Sequence, residues 1–225
     1  MNEIKKYCPS IFQKFERYKF KRLPYSRLHT LKFIHITKCA GTSIEEAAKE
    51  VGIDWGKYHR EYHVSQDEGF WHIPFQQVSE EIKKKYDWFV VVRNPYDRIL
   101  SEYYCGAGGN GKNVTHSVEM FNKLTIKNIL ERENHPYTGH FLEQYKYIDD
   151  SIKIHILKYE NLQTEFDNLM RLYNLKNIIL EKKNSRTENN INDKLFTVKD
   201  FSEELIKTIN LVYNKDFEMF HYSKI

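Results

Sequence analysis

Two short segments carry residue types suited to holding anions. The first is Lys38-Cys39-Ala40-Gly41-Thr42-Ser43, set between a β-branched and aromatic run and a helix-favouring stretch. A tight turn between a strand and a helix presents successive backbone N–H groups, those of Ala40 and Gly41 included. The helix N-terminus that follows adds positive potential. Gly41 permits close backbone approach. Lys38 is a mobile point charge, and Thr42 and Ser43 are hydroxyl donors. Together these make a phosphate or sulfate cradle. The segment is not a Walker A loop, because that motif needs GxxxxGK[ST] and here the lysine precedes the glycine. Cys39 reads as a small buried side chain, since no acid–base partner is near it in sequence.

The second segment is Arg93-Asn94-Pro95-Tyr96-Asp97-Arg98-Ile99-Leu100-Ser101. Arg93 follows the apolar run Trp88-Phe89-Val90-Val91-Val92, at the carboxyl end of a strand, where ligands bind in open α/β sheets. Pro95 suits the first turn of a helix. Arg93 and Ser101 are eight residues apart and meet if the chain turns at Asn94-Pro95 and runs back as helix. A forked guanidinium and a hydroxyl suit a terminal phosphate. Asp97 reads as a structural ion-pairing residue, and Arg98 as either structural or close to the ligand.

Elements must place these segments. Strands are expected at 32–37, 88–92 and 151–157. The second, a continuous apolar run, fits the interior of a parallel sheet. Thr42 or Ser43 is expected to cap the first helix, with Glu45 and Glu46 in its positively polarised first turn. Further helices are expected at 76–86, 96–104, 117–131, 140–147, 162–173 and 201–213. In the fifth of these, Leu162, Phe166, Leu169 and Leu172 fall at helical spacing. The stretch 51–75 reads as irregular, 105–113 as a glycine-rich loop and 182–193 as a polar surface loop. Strands separated by helices imply crossovers, hence a three-layer α/β fold with a mostly parallel sheet and helices on both faces.

Composition agrees with a folded chain. The 225 residues are 40% hydrophobic and 29% charged, with 9 Gly and 5 Pro, which excludes collagen-like and disordered classes. A net charge of +4 is too small to argue for nucleic acid. Three scattered cysteines make no disulfide framework. The longest apolar run is five residues, where a membrane helix needs about 20. A cytoplasmic protein of one domain, 1–225, is expected, with an extension at 1–30 and a core at about 31–221. The apolar spacing within 4–20 allows an amphipathic helix there.

Ile34-His35-Ile36-Thr37-Lys38-Cys39-Ala40-Gly41-Thr42-Ser43-Ile44 resembles the 5′-phosphosulfate loop of the PAPS-dependent sulfotransferases, especially their carbohydrate-directed branch. The Arg93–Tyr104 segment resembles the 3′-phosphate motif of that family. HFLEQYKYI at 140–148, ILKYENLQTEFDNLM at 156–170 and LVYNKDFEMF at 211–220 resemble segments that recur later in it. The likeness runs from about 32 to 220. Thr37 and Cys39 depart from the proline and threonine usual in the loop, and the RKGxxGxW signature of the small-molecule branch is absent. The resemblance implies a P-loop-NTPase-like sulfotransferase fold and transfer of a sulfuryl group from PAPS, leaving PAP, to a carbohydrate hydroxyl. It implies that Lys38 contacts the 5′ phosphate and bridging oxygen, with Ala40, Gly41, Thr42 and Ser43 around that end. Arg93 and Ser101 would hold the 3′ phosphate.

The scheme needs a base and no metal. The chain has no HExxH and no cysteine cluster. Histidine suits the base, and ten are present. The resemblance places the catalytic histidine at His72, with His59 and His63 as alternatives and Glu61 and Glu68 as lesser candidates. His35 and His155 lie in strand readings and are assigned to packing. Trp55, Tyr58, Tyr62, Phe70 and Trp71 are candidates to stack on sugar rings. Lys57 with Arg60, or Lys112 with Asn113, are candidates to meet an acidic glycan. Competing readings are a small-molecule or protein-tyrosine acceptor, a non-catalytic nucleotide-binding protein and a kinase on the same scaffold. The last lacks a Walker A loop.

Overall fold

The computed structural model describes residues 31–53, 55, 72, 74–105, 116–135, 139–175, 178–180 and 196–225. The candidate residues at 57–63, 68, 70, 71, 112 and 113, with the 1–30 extension and the polar stretch 182–193, lie outside these residues. Three parallel strands, β1 (Leu31–Ile34), β2 (Asp87–Val92) and β3 (Ile154–Lys158), pair in the order β1-β2-β3. The register aligns Phe33 with Phe89 and Phe89 with His155. Trp88 to Val92 are all buried, as the interior position of β2 requires.

Helices flank the sheet. α1 (Gly41–Glu50) follows β1, and α2 (Glu80–Lys85) precedes β2. α3 (Pro95–Tyr103) follows β2, α4 (Val118–Leu130) comes next, and α5 (Leu162–Leu172) follows β3. α6 (Glu203–Val212) and α7 (Asn214–Met219) end the chain. One apolar core joins the strands to Ile44, Ala47 and Ala48 of α1 and to Phe166, Leu169 and Met170 of α5. A second joins Ile99, Leu100 and Tyr103 of α3 to Phe121, Leu205, Ile209 and Phe217 of the later helices.

Several boundaries differ from expectation, each for a local reason. β1 ends at Ile34 because Thr37 turns away: its carbonyl accepts from Arg98 Nε at 3.1 Å and its Oγ1 from Arg98 Nη2 at 2.9 Å. The stretch 76–86 divides at Val78-Ser79, which are extended, and the Ser79 hydroxyl caps α2 by accepting from Ile82 N. β3 starts late because Asp149 ties up Ser151 through both its N–H and its hydroxyl. The expected helix at 140–147 is only a 3₁₀ turn at Gln144–Tyr147, since Phe141 has a φ of 61° and the carboxylate of Asp216 takes the N–H groups of Gln144 and Tyr145. Leu172 is exposed, and Met170 takes the buried place beside Leu169. The final helical stretch starts at Glu203, capped by Ser202, and breaks at Tyr213 before α7.

Candidate active site

The loop after β1 is built on two left-handed residues. Lys38 has a φ of 60° and Ala40 a φ of 63°, conformations that cost a side-chain-bearing residue about 1–3 kcal/mol and persist only where the surroundings enforce them. The left-handed Ala40 is the N-cap of α1, and no side chain caps the helix. Thr42 and Ser43 therefore stand inside the first turn rather than before it, and Glu45 and Glu46 fall beyond it. An anion would take the place of the missing cap. Gly41 has no room for a side chain: a Cβ there would lie 1.8 Å from His35 Nε2. His35, assigned to packing from sequence, thus presses its ring against the loop.

Cys39 is fully buried, and its Sγ donates to Gln144 Oε1 at 3.5 Å. Burial pushes its thiol up to about 12, against the opposing pull of Arg98 and Arg93. It is a packing residue, as the sequence indicated.

The second arm starts at Arg93, just past β2. Asn94 caps α3 by accepting from Tyr96 N at 3.0 Å, and Pro95 takes the first helical position. The Arg93 backbone is clamped on both sides by one amide, with Arg93 N donating to Gln144 Oε1 and Gln144 Nε2 donating to Arg93 O, each at 2.8 Å. The guanidinium lies over the Tyr159 ring at 4.1 Å and donates from Nη1 to Lys38 O at 3.2 Å. Its Nε is buried without a hydrogen-bond partner among the described residues. Asp97 sits in the first turn of α3 and makes no ion pair among the described residues, so the helix end is its partner rather than a cation. Arg98 is structural. It is 1% exposed, and its guanidinium is bonded to Thr37, Leu142 and Glu102.

Loop and arm meet. A cavity of about 540 Å³ is lined by His35, Lys38, Ala40, Gly41, Thr42, Ser43, Arg93 and Ser101, and on its other side by Tyr159 to Thr164 and Leu180. The carboxylate on this wall, Glu160, accepts from Asn94 N and from Tyr222 Oη, each at 2.8 Å. Lys38 makes no ion pair among the described residues, so two cationic side chains and an uncapped helix end converge on one space. The sequence model of the Sulfotransferase family matches residues 21–223.

The chain belongs to the sulfotransferase family. Comparison with curated proteins and with solved structures finds no match. Enzymes of this family draw the sulfuryl group from PAPS. The site fits such a donor on structural grounds: an uncapped helix end and the buried, unpartnered Nε of Arg93 border one cavity. No described helix of this sulfotransferase is long and apolar enough to cross a membrane.

His72 stands behind His35 and does not line the cavity itself. Its Nδ1 is 3.1 Å from the carbonyl oxygen of His35, and the two rings meet edge to face at 4.4 Å. A carbonyl only accepts, so this bond puts the hydrogen on Nδ1 and leaves the lone pair of the neutral ring on Nε2. Trp55 is fully buried against Phe89 and Phe166, so it belongs to the core and not to a sugar platform.

Sequence reasoning missed Gln144, Tyr159, Glu102 and His140. The segment around Gln144 reads as helix, and nothing in its local pattern points to Arg93, 51 residues away. Glu102, Cys105 and His140 bring three donor atoms within 4.8 Å of one another. Both Glu102 oxygens are already engaged, by Thr37 and Arg98 on one side and His140 on the other. We read the group as an ion-pair network.

Proposed function

We propose that this sulfotransferase moves a sulfuryl group from PAPS to a carbohydrate hydroxyl, within one catalytic domain and with His72 as general base. The observation that carries the reading is the single cavity bordered by Lys38, Ala40 to Ser43, Arg93 and Ser101. Lys38 and the first-turn amides of α1 suit the 5′ end of the nucleotide, and Arg93 with Ser101 suits the 3′ phosphate. The carbohydrate acceptor is supported by resemblance to that branch and by the absence of the small-molecule signature.

PAPS supplies the sulfuryl group, whose bond to the 5′-phosphate oxygen breaks as the bond to the acceptor oxygen forms. Lys38 takes up the negative charge that grows on the departing phosphate oxygen. The α1 amides share that task without reorganising, because the loop backbone is already set. The acceptor hydroxyl passes its proton to His72 Nε2, the ring nitrogen opposite the one bonded to the His35 carbonyl. The acceptor then approaches from the side of His35 on which His72 stands.

The test is calorimetric titration with adenosine 3′,5′-bisphosphate against ATP, followed by radiolabelled transfer to glycan acceptors. Selective binding of the bisphosphate is expected. Arg93→Ala should weaken it by about 10- to 100-fold, the scale of losing hydrogen bonds to a charged group. Lys38→Ala should lower kcat by about 100-fold. His72→Ala should abolish transfer and spare nucleotide affinity. Equal binding of ATP, or normal turnover by His72→Ala, would refute the corresponding part.

A further inference from the structure

The segment after Gly139 is folded around His72. Gly139 has a φ of 84°, and a Cβ there would lie 2.3 Å from His72 O and 2.6 Å from His72 Cβ. Tyr147 Oη donates to His72 O at 2.8 Å. Between them, the His140 ring meets the His72 ring edge to face, at 5.6 Å and 82°. The His140 ring is itself anchored: its Nδ1 is 2.7 Å from Glu102 Oε2.

Glu102 is built to hold that anchor. It lies on α3 beside Ser101, with no exposed surface. Its Oε1 accepts from Thr37 Oγ1 and, at 3.4 Å, from Arg98 Nη2. Burial alone would raise its carboxyl, but the charge and hydrogen bond of His140, aided by Arg98 and Lys38, hold it at about 2. An ionised carboxylate only accepts, so His140 Nδ1 carries a hydrogen and the ring plane is fixed. A reacting group must be held within about 0.5 Å and 10–20° of its productive geometry. His72 is gripped at its backbone by Tyr147 and on its ring by His35 and His140.

We infer that His140, locked by Glu102, is a positioning residue for His72: the buried carboxylate orients one imidazole, whose edge orients the next. The inference rests on the reading of His72 as the base and adds a carboxylate–histidine pair that the sequence did not expose. It explains why a buried acid on α3 sits next to a nucleotide-site serine without touching the cavity. Ser101 faces the donor and Glu102 serves the acceptor side, so one turn of helix ties the two halves of the reaction together.

Two variants separate the parts of the device. His140→Phe keeps a ring against His72 and loses the bond to Glu102. His140→Asn keeps an N–H donor for Glu102 and loses the ring. Both are expected to lower kcat by about tenfold to 100-fold, the scale of a misplaced reacting group. Affinity for adenosine 3′,5′-bisphosphate, which also reports folding, should stay within about twofold. Long-range ¹⁵N–¹H spectra of the imidazoles give a readout without turnover. A hydrogen on Nδ1 is expected for both rings, with His72 as the Nδ1–H tautomer, and the His72 signals should move in His140→Asn. Unchanged kcat in both variants, or unmoved His72 signals, would overturn the inference, as would kcat and nucleotide affinity falling together. A wild-type protein that shows the His72 tautomer but transfers nothing from PAPS would instead remove the reading of His72 as base.

Discussion

Gly41 shows how much a single atom decides at this site. The space a methyl group would need is filled by the His35 imidazole, 1.8 Å from the ideal Cβ position. Gly41→Ala must displace either the loop or the ring, and the ring also packs against His72. The expected result is loss of nucleotide binding by at least about tenfold, or about 1.4 kcal/mol, with helix content unchanged by circular dichroism. Wild-type affinity in that variant would mean that the loop yields cheaply. That Lys38, Gly41, Arg93 and Ser101 come together was legible in sequence, because each lies within a short segment whose order implies geometry. The position of His35 was not legible. A histidine in a β-branched run looks like strand, and only the early end of β1 at Ile34, forced by the grip of Arg98 on Thr37, turns it toward the loop.

At the scale of elements, the sheet and the helices after it were readable from apolar periodicity, whereas the turn at Gln144–Tyr147 was not. Its amides answer to Asp216, 72 residues further on. That turn is what joins the two segments that line the cavity. Gln144, with no exposed surface, bonds both sides of the Arg93 backbone and meets Cys39 from the loop. Gln144→Ala leaves the backbone N–H and carbonyl of Arg93 without this partner, each costing about 1–3 kcal/mol, while Asp216 keeps the N–H groups of residues 144 and 145. The expected outcome is a fall of several degrees in melting temperature together with weaker bisphosphate binding, since Arg93 loses its register against the loop. A variant that melts early but binds nucleotide normally would show that Tyr159 and Lys38 alone set the arm.

Over the whole molecule, two buried carboxyls pull the pH dependence of stability in opposite directions. Burial raises Asp216 to about 6, partly offset by the N–H groups of Gln144 and Tyr145. Its folded value lies above the unfolded one, so its contribution is full below about pH 3.8 and is lost as pH rises through 6. Glu102, held at about 2, works the other way: its contribution is present above about pH 4.5 and is lost as pH falls toward 2. Melting temperatures followed from pH 4 to 7 should show the Asp216 slope in the wild type and a flatter curve in Asp216→Asn. An identical slope in the two would assign the effect to other groups. The buried thiol of Cys39 has a further consequence, for oxidative damage. Held protonated and walled off inside the loop after β1, it has no thiolate to offer a peroxide or a maleimide. Mass spectrometry of the native protein after brief alkylation should find Cys39 unmodified until denaturant is added. The loop that lines the cavity would then be indifferent to the redox state around it.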